Sequence, residues 1–174
     1  MKNIPYASAV GSLMYAQVCT RPDITFVVGM LGRYQSDPGL DHWRAAKKVM
    51  RYLQGTKNYM LMYERTNNLE VIGYSDFDFA GCVDSRKSTS GYIFMLAGGA
   101  VSWRSAKQTL IATSTMEAEF VSCFEATLHG VWLKSVISGL RIMDSISKPL
   151  RIYCDNSAAG FMAKKWESKL THRH

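Results

Sequence analysis

The residues in this chain that could do chemistry are acids placed where strands should be apolar. Asp76 and Asp78 close the strand-forming run LEVIGYSDFD. Residues two apart in a strand share a face, so these two carboxylates point the same way. A core does not tolerate that pair, which must either sit in solvent at a strand end or hold a cation. A second run, Leu150 to Cys154, ends in Asp155, and Glu117 and Glu119 lie in the first turns of a long helical stretch. Each acid has an ordinary use by itself. Acids near a helix start complement its dipole, and Asp155 can cap a following helix. Together they make another case. If the strand bearing Asp155 pairs beside the strand bearing Asp76, both acids lie at neighbouring strand ends, and a helix packed on that face brings Glu119 to them. Three carboxylates at contact distance cannot all ionise without a cation. Oxygen donors of this kind suit Mg²⁺ or Mn²⁺, two hard divalent ions.

A different chemistry is written near the start of the chain. Arg44, Lys47, Lys48 and Arg51 recur at helical spacing opposite a stripe of Trp43, Ala46, Met50 and Leu53. Four like charges so spaced repel one another by a few tenths of a kcal/mol per pair. The stripe is either a solvated helix face or a rail for a phosphate backbone.

The elements that must carry these residues follow from periodicity and breakers. Tyr6 to Cys19 reads as a helix ended by Thr20-Arg21-Pro22, a second helix runs from Pro22 to about Gln35, and a third from Asp41 to Gly55. After Lys57 the period becomes extended. Tyr59 to Glu64 and Leu69 to Asp76 read as strands, and Gly91 to Ala97 and Ala100 to Arg104 as a hairpin turning at Gly98-Gly99. A residue among Thr113, Ser114 and Thr115 caps a long helix reaching Gly139, with Phe120, Phe124, Leu128 and Val131 as its expected buried stripe. A last helix is expected from Ser157 to about Lys165. The organisation expected is a helical segment over residues 1–57 and a mixed α/β domain over residues 58–174.

With 174 residues the chain can bury one sizeable core plus a helical appendage. No apolar run reaches the roughly 18 residues of a membrane span, and MKNIPYASAV lacks signal-peptide architecture, so an intracellular protein is expected. The four cysteines are far apart with no ligand spacing and read as reduced, buried thiols. The net charge of +7 favours an anionic partner. Residues 1–68 hold nine Lys/Arg against four Asp/Glu and residues 69–174 twelve against ten, so the basic surplus belongs mainly to the first part.

The runs YSDFDFAG, DSRKSTSGYIF, GGAVSWRSAKQ, STMEAEF and IYCDN, in that order, resemble the ribonuclease H domain of Ty1/copia-type LTR retrotransposon polyproteins. PYASAVGSLMYAQVCTRPDITFVVG and HWRAAKKVMRYLQGT resemble the segment joining reverse transcriptase to that domain. The resemblance implies an RNase H-like α/β fold with a mixed sheet flanked by helices. It also implies two-metal hydrolysis of the RNA strand of an RNA/DNA hybrid, with the remainder of the polyprotein, reverse transcriptase above all, as partner. The metal-binding, catalytic positions carried over are Asp76, Glu119 and Asp155. Glu119 is preferred to Glu117 because a large apolar residue, Phe120, follows it. Asp78 matches an acid common in the first strand motif and is expected beside the ligands without binding the metal. Lys87, Ser88, Thr89, Ser90, Ser102, Arg104 and Lys107 are candidates for contacting the hybrid, each with a solvated turn or strand as its alternative. The resemblance places such a domain in a cytoplasmic particle or the nucleus.

Two departures accompany the resemblance. The family's fourth carboxylate lies just beyond a motif that SKLTHRH begins, and the chain stops at His174. Impaired cleavage is therefore expected. No YxDD-type polymerase motif is present, and His172 and His174 read as an unliganded terminus. The alternative expectation is a catalytically dead nucleic-acid-binding module using the basic helix face, and a third is an interaction fragment without a nucleic-acid role. The acid order Asp, Glu, Asp argues against a transposase with Asp, Asp, Glu.

Overall fold

Alanines with Val10, Leu13 and Met14 at helical spacing give the first helix, α1 (Tyr6–Cys19), whose last turn ends where Pro22 follows. A 3₁₀ turn (Pro22–Ile24) leads into α2 (Thr25–Gly32), so the single helix expected from Pro22 to Gln35 is a tight turn plus a shorter helix. Gly39 then caps α3 (Leu40–Gly55), its N–H donating to His42 Nδ1. The described residues are 4–66, 69–82, 85–140 and 149–155 of a computed structural model, and the chain forms two compact units, Met1–Met62 and Tyr63–His174. The expected last helix and the terminal histidines lie outside the described residues. No described helix is long and apolar enough to cross a membrane.

In the first unit Tyr6, Val10, Leu13, Ile24, Val28, Leu31, Ala46 and Val49 form one buried cluster, with Trp43, Met50 and Leu53 packed against it as their spacing predicts. A polar clasp closes its edge. The buried guanidinium of Arg21 donates to both oxygens of Asp23 at 2.9 and 2.7 Å and to Thr56 Oγ1 at 2.7 Å, while the Tyr52 hydroxyl donates to Asp23 at 2.8 Å. The end of α3 is thereby tied to the turn after α1.

The second unit is a mixed sheet flanked by a helix, the RNase H-like α/β architecture expected. Strands β1 (Ile72–Asp78), β2 (Thr89–Leu96), β3 (Gly99–Lys107) and β4 (Arg151–Tyr153) lie in the order β3-β2-β1-β4, with the first three antiparallel and β4 parallel to β1. The β2–β3 turn is Ala97-Gly98, one residue earlier than expected, with φ of 52° and 78°. Residues 59–64, expected as a strand, form none; the Glu64 N–H donates to the carbonyl of Ala97.

Helix α4 (Thr115–Gly139) starts at Ser114, whose side chain accepts from the Glu117 N–H, while the Glu117 carboxylate accepts from Thr113. Its buried stripe differs from the expected one. Ala118, Glu119, Ser122, Ala126, Gly130, Leu133 and Ile137 are buried, whereas Phe124, Leu128 and Val131 are exposed. The reason is closeness of approach. A Cβ on Gly130 would lie 2.6 Å from Leu150 Cδ2 and 2.8 Å from Phe94 Cε1, so this face seats over a ring that itself presses on Gly73. Phe94, Val71, Leu133 and Ile137 form the buried apolar cluster beneath.

Candidate active edge

Parallel pairing of β1 with β4 sets the geometry of the site. Ile72, Gly73 and Tyr74 stand opposite Arg151, Ile152 and Tyr153. Carried two residues further, the same register brings Asp76 level with Asp155. Tyr74 and Tyr153 stack with ring centroids 5.5 Å apart, and alternation along β1 puts Asp76 on their face of the sheet, while Asp155 lies two residues past the end of β4. Asp76 and Asp155 are exposed. Asp76 Oδ1 accepts from the Phe77 N–H at 2.8 Å. The exposed Asp76 thus stands on the open face of β1, and the exposed Asp155 follows the end of the neighbouring parallel strand. Asp78 shares that face, half-buried, with its carboxylate packed on Gly81.

The other face belongs to α4. Ser75 is buried, 3.0 Å from Ser122 Oγ, and Ser122 donates to the carbonyl of Asp76 at 2.7 Å. Since a hydroxyl has one proton, Ser75 donates to Ser122 and Ser122 to the strand. This chain pins the helix beside the acid-bearing strand end. Glu119, one turn before Ser122, is buried, with only 1% of its surface exposed. The expected gathering of all three carboxylates on one face is not what the structure shows. Side chains two apart in β1 share a face and Ser75 is the one that meets the helix, so Asp76 points away from it. Glu119 instead lies with Cys123 and Cys154, their ligand atoms all within 4.8 Å of one another. Among the described residues this is the one group of three such side chains so close. Burial, with Cys154 beside it, pushes the Cys123 thiol up to about 12. None of the four cysteines forms a disulfide; Cys82 is buried, Cys123 and Cys154 half-buried and Cys19 exposed, so burial is general to only part of the set.

The sequence is similar to those of known proteins. Over 164 residues, 94% of the chain, it is 43% identical to the retrovirus-related Pol polyprotein from transposon TNT 1-94 of Nicotiana tabacum. Over 169 residues it is 38% identical to the Pol polyprotein from transposon RE2 of Arabidopsis thaliana. The chain belongs to the copia-type retrotransposon Pol family. It spans 12% and 11% of the length of those two polyproteins. It is also 53% identical over 133 residues to a protein named secreted RxLR effector protein 161 of Plasmopara viticola, covering 94% of that protein. No protein-family model matches the chain, and no solved structure does.

The basic and hydroxyl candidates of this Pol segment divide by burial. Ser88, Thr89 and Ser90 are buried and are not a surface for a hybrid. Gln108 is the reason. Its N–H donates to the Ser88 carbonyl at 2.8 Å, and its side-chain amide donates to Ser90 Oγ at 2.9 Å and to the Ala118 carbonyl at 2.8 Å. Ser88 Oγ in turn accepts from the Ala80 N–H. The KSTSG and SAKQ runs of the Pol segment therefore join strand, loop and helix start through a buried amide, which sequence reasoning passed over because glutamine is ordinarily a surface residue. Lys87 Nζ donates to the Thr109 carbonyl at 2.6 Å, and Arg104 and Lys107 are exposed on β3. Arg44, Lys47, Lys48 and Arg51 are all exposed on α3, Arg44 paired with Asp41 at 2.9 Å and Lys47 set 5.9 Å from the Trp43 ring centre. His129 also went unread: it lies 2.7 Å from Ser102 Oγ and stacks on Tyr92, and burial lowers its pKa.

Proposed function

We propose that the second unit is a ribonuclease H-like domain that hydrolyses the RNA strand of RNA/DNA hybrids with divalent metal. The observation that supports this reading is the parallel pairing of β1 with β4, which puts the exposed Asp76 and Asp155 near neighbouring strand ends. Exposed carboxylate oxygens beside solvent fit Mg²⁺ or Mn²⁺, which keep waters among their ligands. Asp76 and Asp155 would hold the metal; Glu119, which the family resemblance assigns as the third carboxylate, lies buried on the helix face, away from Asp76. The bound metal supplies activation of a water and stabilisation of the leaving oxygen. The Ser75–Ser122–Asp76 chain holds the strand end in place, and Arg104 and Lys107 offer exposed cations to the hybrid backbone. The partners of such a domain are the hybrid and the neighbouring parts of the polyprotein, reverse transcriptase among them.

The test is Mg²⁺- or Mn²⁺-dependent cleavage of an end-labelled RNA/DNA hybrid by the chain and by Asp76→Asn. Cleavage is expected to fall to the metal-free background in the variant; equal cleavage by both would remove Asp76 from the reaction. A second reading, a non-catalytic nucleic-acid-binding module, has its own observation in the four exposed cations along α3. It expects hybrid binding that falls steeply with salt, without turnover, and weakens when Lys47 and Lys48 are both replaced by Ala.

A further inference from the structure

Cys123 and Cys154 add two sulfurs to the Glu119 carboxylate, a donor set unlike the all-oxygen aspartates of the open face, and the three side chains come from two elements. We propose that these three side chains form a site for a thiophilic divalent cation of the Zn²⁺ class, on the helix face of the sheet edge.

Glu119 and Cys123 are four residues apart on α4, the spacing at which two helical side chains stand one above the other and can reach a common ion. Cys154 comes from the residue after β4. It lies between Tyr153, whose ring stacks on the open face, and Asp155, so alternation turns it toward α4. The three ligand atoms already lie within 4.8 Å of one another. A tetrahedral ion with bonds of about 2.0–2.3 Å needs its ligand atoms roughly 3.5 Å apart, so closure asks for small side-chain adjustments. The helix on one side is fixed by the bond from Ser122 to the β1 backbone, and the strand on the other by pairing with β1. The ligands are therefore carried on anchored elements.

The donor set chooses the ion. Two sulfurs and one carboxylate oxygen suit Zn²⁺, Cd²⁺ or Co²⁺ and reject Mg²⁺ and Ca²⁺, which take oxygen. Binding forms two metal–sulfur bonds and releases the two thiol protons to solvent, with no change in oxidation state. Three protein ligands leave a fourth position for water, and the half-buried thiols give an ion a way in. The site stands whether or not the chain cleaves hybrids, although it competes for Glu119 if Glu119 serves the open face.

The experiment is titration of the full, phosphine-reduced chain with Cd²⁺, read by thiolate-to-metal charge-transfer absorption in the ultraviolet. One Cd²⁺ per chain is expected, displaced by Zn²⁺ but not by a hundredfold excess of Mg²⁺. Cys123→Ser and Cys154→Ser should each weaken binding about a hundredfold, and Glu119→Gln about tenfold; Cys19→Ser and Cys82→Ser should leave it unchanged. A full-strength band in either Cys123→Ser or Cys154→Ser, loss of the band in Cys19→Ser, displacement by Mg²⁺, or no band at stoichiometric Cd²⁺ would overturn the proposal. Should the serine variants not fold, alkylation of the wild-type chain mapped by mass spectrometry reads the same site. Zn²⁺ should slow modification of Cys123 and Cys154 together, and slowing confined to Cys19 or Cys82, or absent, refutes the assignment.

Discussion

The interiors of the two units are built on different principles. The first is an apolar cluster from three helices, with its main polar network, Arg21-Asp23-Tyr52-Thr56, at the edge. The second has a smaller buried apolar cluster around Phe94 and, toward the acid-bearing strand ends, a buried set of Ser75, Ser88, Thr89, Ser90, Gln108, Glu119 and Ser122. Buried polar groups cost stability unless they bond one another, so a network of this kind tolerates few geometries. It trades packing strength for placement. The first unit should therefore survive changes in its polar edge better than the second survives changes in its polar interior.

Gln108→Ala is the sharpest way to break that contrast. The substitution strands Ser90 and the Ala118 carbonyl and empties the volume of a side chain that is 1% exposed. A loss of about 2–3 kcal/mol is expected in guanidinium unfolding. Amide hydrogen exchange should localise it, with protection lost in β2, β3 and the first turns of α4 and retained in α1–α3. Equal loss across both units would show that the amide is not a local clamp.

The same contrast governs what could be read in advance. In α3 the cations occupy one side, so its apolar stripe stood out: Ala46 is buried with Trp43, Met50 and Leu53 packed against the core, and only the buried Val49 was missing from the expected set. In α4 apolar residues surround the helix, and periodicity reports the helix but not its inner face. The large side chains suggested Phe124, Leu128 and Val131; the sheet took the stripe of Ala118, Ala126 and Gly130, because Phe94 needs the room. That the strand before Asp155 lies beside the strand bearing Asp76 was legible, and the two pair in parallel. Glu119 with two thiols was not. Cys123 and Cys154 are 31 positions apart in sequence, and only the parallel pairing of β4 and the facing of α4 bring them together.

Asp23→Asn probes the polar edge of the first unit. Arg21 holds the Asp23 carboxyl below its ordinary pKa, with the Tyr52 hydroxyl adding to it. A carboxyl whose folded pKa is depressed binds protons more weakly folded than unfolded. Its contribution is thus complete above the ordinary aspartate range and is lost as pH falls through the lower folded value. The variant should be about 1 kcal/mol less stable at neutral pH, a figure held down by partial exposure of the pair, and no less stable than the parent in acid. Hydrogen exchange in α1–α3 at both pH values checks it. A deficit that persists unchanged in acid would mean that the asparagine disturbs packing and not the ion pair.

The smallest effect sharpens the comparison from the side of the sheet. The β2–β3 turn uses Ala97 and Gly98, both at positive φ, which is the two-residue turn whose twist suits antiparallel strands. Glycine at the second position adopts this freely, but alanine at φ 52° brings its Cβ against the backbone at a cost of about 1 kcal/mol. Ala97 keeps its carbonyl bonded to the Glu64 N–H at 2.7 Å, and Ala97→Gly leaves that bond in place. Relief of the strain is opposed by the greater freedom of glycine in the unfolded chain, so a net gain of about 0.5 kcal/mol is expected. The gain should appear as slower unfolding of the β2–β3 hairpin alone, with α1–α3 unaffected. A destabilised variant would show that the alanine methyl contributes packing that outweighs its backbone strain.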